Sequence, residues 1–76
     1  MGVKRRYAVV RASTMGTVSY TSAQTGARVI SGDPLLGIEV MKLVYQVSAP
    51  LGGEVEYVVK VGETVSEGQI VAKIYV

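Results

Sequence analysis

The residues Ile38-Glu39-Val40-Met41-Lys42-Leu43-Val44-Tyr45 constrain this chain more than any other stretch. An alternating apolar run arrives, Met41-Lys42 interrupts it, and a second alternating run leaves. Two strands this close in sequence form a tight antiparallel hairpin, because a parallel crossover needs about a dozen residues or more. Two-residue hairpin turns favour Asn-Gly or Gly-Gly, since one or both central residues take positive φ. Met-Lys offers neither, so the turn carries strain of ~1–3 kcal/mol. Local rules are broken most often at functional sites. Lys42 is therefore the first candidate functional residue, held out on a turn where another protein can reach it.

The rest of the chain is expected to serve that presentation. With 76 residues it makes one small domain, which buries only about 60% of its unfolded surface. We place the domain at 1–76, with its core in 7–76 and a basic end at 1–6. There is no cysteine and no histidine. Disulfide staples, thiolate metal sites, Ser-His-Asp triads and His-based acid–base chemistry all lose their usual parts. The missing cysteines fit a reducing compartment, the cytoplasm. No apolar run reaches the length of a membrane span or a signal-peptide core. Met1-Gly2 is followed by Arg6 where a myristoylation signal wants Ser or Thr. A soluble protein, or a domain excised from a larger one, is the expectation. The net charge of +2 owes most to Lys4-Arg5-Arg6, a run that reads as a solvated end.

Hydrophobic residues make up 49% of the chain; valine dominates, and Phe and Trp are absent. Such β-branched content favours strands. The alternation predicts strands over 7–11, 15–20, 28–30, 35–40, 43–49, 54–60 and 69–75, with one short strand between Gly62 and Gly68. Thr21 to Ala27 reads as loop, and Pro34 should open its strand because it cannot donate to a ladder. Leu43, Tyr45, Val47 and Ala49 share one face, with Val44, Gln46 and Ser48 on the other. No segment sustains a 3.6-residue period with caps.

The chain also repeats itself. Gly16-Thr17-Val18-Ser19-Tyr20 is matched by Gly53-Glu54-Val55-Glu56-Tyr57, and Gly26, Val29 and Gly32 by Gly62, Val65 and Gly68. Asp33 and Gln69 follow the last glycine of each set, and an apolar strand closes each half. The first half is one residue longer between its first and second glycines. Two like halves joined by the central hairpin predict an all-β flattened barrel or sandwich of two four-stranded antiparallel sheets with pseudo-twofold symmetry. Lys42 falls outside both repeats, on their connection.

Glu39-Val40-Met41-Lys42-Leu43, flanked by these repeated glycine and valine elements, resembles the biotinyl carrier domain of biotin-dependent carboxylases. The Val-Met-Lys form looks most like the acetyl-CoA carboxylase branch, which serves fatty acid biosynthesis. The resemblance covers roughly residues 7 to 76, with no room for the extra thumb segment of some bacterial carriers. It implies covalent biotin on Lys42, with Met41, Leu43, Val40 and Glu39 recognised by a biotin protein ligase. It also implies biotin carboxylase and carboxyltransferase partners, and a domain that carries carboxyl groups without catalysing. Ala49-Pro50 matches the family's second half. Ala12-Ser13 departs from the Ala-Pro of the first, and Leu43 stands where Met is commoner. Lipoyl carriers share the fold but typically bear Asp-Lys-Ala at the turn, so lipoate is the alternative cofactor.

Other residues read more plainly. Glu39, Glu54 and Glu56 belong to solvated strand faces rather than to a catalytic carboxylate pair. The five tyrosines are expected to fill a core lacking Phe, with hydroxyls at the rim. The alternative is a stacking platform for single-stranded nucleic acid beside the basic end, which would make the chain a small basic β-barrel binding module. We expect no nucleic-acid and no membrane partner. No glycine precedes a helix, so none builds a phosphate loop.

Overall fold

The computed structural model describes residues 5–76; Lys4 and the rest of 1–4 lie outside the described residues. Eight strands form, and no helix among the described residues: β1 (Tyr7–Arg11), β2 (Gly16–Thr21), β3 (Arg28–Val29), β4 (Pro34–Val40), β5 (Leu43–Ser48), β6 (Gly53–Tyr57), β7 (Thr64–Val65) and β8 (Ile70–Tyr75). They make two four-stranded sheets, in the orders β1-β8-β6-β3 and β5-β4-β2-β7. Every pairing is antiparallel. Advancing each strand by four places, cyclically, turns the first order into the second. The pseudo-twofold relation expected from the repeats is therefore written into the sheets.

The turn that precedes each closing strand obeys the same relation. The Asp33 carboxylate accepts from the Ile30 amide at 2.9 Å, and the Gln69 side-chain oxygen accepts from the Ser66 amide at 2.9 Å. Each thereby closes the turn made by the glycine before it, which is why an acidic or amide residue recurs there. Ala12 and Ala49 occupy matching places. Their amides donate to Gln69 and Asp33 carbonyls, and their carbonyls accept from Gly68 and Gly32 amides.

Among the described residues, fifteen aliphatic ones form the core, with Leu35, Leu36, Ile38, Val71, Ala72 and Ile74 all fully buried. Strict alternation forbids two neighbours on one face, yet Leu35-Leu36 and Val71-Ala72 are both buried pairs. A bulge in each closing strand explains it: pairing passes from Pro34↔Ser48 to Leu36↔Val47, and from Val10↔Ala72 to Arg11↔Ile70. The extra residue, Leu35 or Val71, turns inward as well.

Three expectations need correction. The strand expected over 54–60 ends at Tyr57. There the Val58 amide bonds across to the Val71 carbonyl, and the Lys60–Glu63 turn takes over. The loop expected at 21–27 begins one residue later, because Thr21 still pairs with Leu36. The tyrosines do not fill the core. Tyr7, Tyr20 and Tyr45 are exposed, because the molecule is only 17 Å across its thinnest dimension and aliphatic side chains already span it.

Tyr57 alone packs against the core. Its hydroxyl donates to the Leu35 carbonyl at 2.7 Å and accepts from the Ala23 amide at 3.3 Å. Tyr57→Phe strips both groups of that partner and is expected to cost about 1 kcal/mol, read as a lower urea midpoint at constant slope. Burial pushes the Tyr57 phenol above its ordinary 10.0, so the fold favours the neutral form. That contribution is complete below pH 10 and is lost as pH rises through the raised value in the folded state. The gap between wild type and Tyr57→Phe should therefore close at strongly alkaline pH.

Candidate functional site

β4 and β5 form a hairpin whose last pair is Val40↔Leu43, leaving Met41 and Lys42 as a two-residue turn. Met41 has φ 48° and Lys42 φ 69°, the only residues other than glycine with positive φ among those described. These are the signs of a type I′ turn, which follows the twist of the flanking strands. Without Asn or Gly, each position carries strain of roughly 1–2 kcal/mol. The register of the ladder on both sides holds it: Ile38↔Tyr45, Glu39↔Val44 and Val40↔Leu43 all pair.

The hairpin projects beyond the opposite sheet. Leu43, Tyr45, Val47 and Ala49 share one face as expected, but their exposure climbs toward the tip. Val47 is 6% exposed, Tyr45 46%, Leu43 62% and, at the turn, Met41 91%. On β4 the sequence is the same, from fully buried Ile38 to half-buried Val40. Core packing thus anchors the root of the arm, and its end stands in solvent. Lys42 is exposed at the apex and makes no hydrogen bond or ion pair among the described residues. Glu39 is exposed one pair below the tip, opposite Val44.

All five residues singled out from sequence therefore meet at one place, with Lys42 at its centre. Sequence reasoning missed Val44 and Tyr45, which extend the apolar surface around the lysine. The signal was there: Leu43-Val44-Tyr45 puts three apolar residues in a row on what proves to be an edge strand. Strict alternation with one wet face would have made one of them polar. Glu39, Glu54 and Glu56 do not converge. Glu54 pairs with Arg5 at 3.1 Å, Glu56 accepts from the Tyr75 hydroxyl at 3.0 Å, and Glu39 sits alone near the tip.

Arg5 and two of the tyrosines meet on the other sheet. Tyr7 and Tyr75 pack with ring centres 5.4 Å apart and planes tilted by 51°. Arg5 covers Tyr75 at 4.7 Å and Lys73 covers Tyr7 at 4.8 Å. These cations and rings are spent on one another, beside two carboxylates.

The family described as biotin-requiring enzymes matches residues 8–74. Among solved structures, a single-chain, multi-domain long-chain acyl-CoA carboxylase superposes with a TM-score of 0.76 at 24% identity. That match covers 97% of this chain and 8% of the carboxylase chain. It shows a shared fold, and the chain spans less than a tenth of that protein's length.

Proposed function

The chain belongs to the family of biotin-requiring enzymes, and on that premise we propose that Lys42 is the residue that biotin joins. The observation that carries this reading is the exposed amine at the second position of a strained two-residue turn, on an arm the core holds only at its root. A ligase needs the amine clear of its own fold and in a fixed place. The turn supplies the first and the paired strands the second. Once deprotonated, Nζ attacks the activated carboxyl carbon of biotin; the leaving group departs and a neutral amide remains. Met41, Leu43, Val40 and Glu39 are the contacts a biotin protein ligase reads, three apolar surfaces and one carboxylate around the reacting nitrogen.

When bound, biotin supplies the ureido nitrogen on which a carboxyl group travels. The chain's own part is reach and placement. Joined to a larger assembly, the domain swings as one body between a biotin carboxylase and a carboxyltransferase, so each visit is intramolecular at high effective concentration. The Val40-Met41-Lys42 form supports a parent of the acetyl-CoA carboxylase type. The domain itself, residues 1–76, is a carrier and not a catalyst. The pairing of Tyr7, Tyr75, Arg5 and Lys73 with one another favours this reading over a nucleic-acid platform, since stacking requires free ring faces.

The test is to incubate the full chain with biotin, ATP and a biotin protein ligase and to weigh it. One biotinyl group per chain, mapped to the peptide holding Lys42, is the expected result. An unchanged mass beside an efficiently modified control substrate overturns the proposal. Gain of a lipoyl group from a lipoate ligase, with none from biotin ligase, makes the chain a lipoyl carrier instead.

A further inference from the structure

The two halves differ at one point, and it lies at the root of the Lys42 arm. The additional residue of the first half is Ser19, which forms a bulge in β2: pairing passes from Val18↔Ile38 to Tyr20↔Gly37. β6, the matching strand, pairs with β8 without a break. The bulge lays the Tyr20 ring on Gly37. A Cβ there would collide with the ring, meeting Cε2 first and then Cδ2 and Cζ at 2.8 Å each. The Ser19 hydroxyl donates to the Gly37 carbonyl at 3.3 Å. In the second half, which has no counterpart of Ser19, the residue equivalent to Gly37 is Lys73, and it pairs with Glu56 where the first half has Tyr20.

A glycine in the middle of a strand is a soft point, and one such strand carries the arm. Gly37 pairs with Gln46 on β5, one step below the Ile38↔Tyr45 pair where the arm begins to leave the sandwich. An aromatic ring spread over a strand glycine restores the missing side-chain contact. We infer that Tyr20 is a positioning residue for Lys42: its ring, seated on Gly37 by the Ser19 bulge, fixes the angle at which the hairpin leaves the sheet and so holds the amine where a ligase finds it. The inference rests on the carrier reading of Lys42.

Four variants of the full chain test it: Tyr20→Ala, Tyr20→Phe, Gly37→Ala and the Tyr20→Ala/Gly37→Ala pair. Amide exchange on the unmodified protein compares residues 39–46 with 71–74, and steady-state biotinylation separates KM from kcat. Tyr20→Ala should raise KM about fivefold to tenfold at constant kcat and quicken exchange about tenfold over 39–46 alone. Tyr20→Phe, which keeps the ring, should behave as wild type. Gly37→Ala should be harmful while Tyr20 is present and neutral or helpful once it is gone, since the new Cβ then has room. Exchange that quickens equally at 71–74, a KM that follows global stability alone, or a Gly37→Ala effect independent of Tyr20 overturns the inference. Absence of biotin on the wild type is a different failure: it removes the carrier reading, and this assignment with it, whatever stands at position 20.

Discussion

Lys42→Arg is expected to take biotin incorporation from one group per chain to none while leaving the unfolding midpoint where it was. Both halves of that expectation follow from the turn. Arginine keeps the charge and the unbranched stem, and it meets φ 69° no worse than lysine does. The side chain is exposed and makes no hydrogen bond or ion pair among the described residues. What changes is chemistry. A guanidinium stays protonated in proteins, and its delocalised nitrogens offer no lone pair to an activated carboxyl carbon. Nor do Lys60 and Lys73 stand ready to replace Lys42. Lys73 is half-buried on a regular strand with its ammonium 4.8 Å above the Tyr7 ring. Lys60 is exposed, but its amide is tied to the Glu63 side chain in a turn where Gly62, and not the lysine, takes the positive φ. Intact mass and streptavidin retention measure the first half, and thermal unfolding the second. Biotin retained on Lys42→Arg would place the site elsewhere; a large fall in the midpoint would mean that Lys42 has a structural role the arm does not show.

The legible part of this molecule was whatever depends on period and spacing. Glycine spacing disclosed the two halves, and the sheets reproduce that relation strand for strand. The Met41-Lys42 turn was readable because two alternating runs left only two residues to reverse the chain. Strand ends were less readable. Alternation at Val55, Tyr57 and Val59 persists past the point where β6 loses its partner, since a buried turn residue such as Val59 leaves the same mark as a strand residue. Burial of Leu35 with Leu36, and of Val71 with Ala72, depends on bulges, which one-dimensional patterns register only as faults in alternation. The exposure of Leu43 and Tyr45 was hidden for a different reason. Both lie on the face that is buried farther down the strand, and only the length of the opposite sheet decides where cover stops. The seat of Tyr20 on Gly37 shows the same limit, for the additional residue was visible as a difference between the halves while its effect on the neighbouring strand was not.

Gly53→Ala is expected to cost about 2–6 kcal/mol, from overpacking of about 1–3 kcal/mol and backbone strain of comparable size. The methyl group has nowhere to go. A Cβ at residue 53 would press on the backbone carbonyl oxygen of Tyr75 and come within 2.8 Å of the Ile74 side chain, at φ +156°. Both neighbours belong to β8, the central strand that also pairs with β1, so relief would have to move two ladders. Gly68→Ala supplies the comparison. Its φ of +84° penalises any side chain, but nothing lies within 4 Å of the added carbon, and the cost should stay near 1 kcal/mol. For a domain whose total stability is on the order of 4–11 kcal/mol by its length, only the first change threatens folding at body temperature. Gly16, the counterpart of Gly53, adds a functional consequence. Its Cβ would meet the Glu39 carbonyl oxygen at 2.6 Å and Val40 at 2.8 Å, directly beneath Met41 and Lys42. Gly16→Ala should therefore lose stability much as Gly53→Ala does, and slow biotinylation further by displacing the root of the arm. Urea midpoints rank the three changes; equal losses at positions 53 and 68 would show that φ alone, and not crowding between strands, is what these glycines are for.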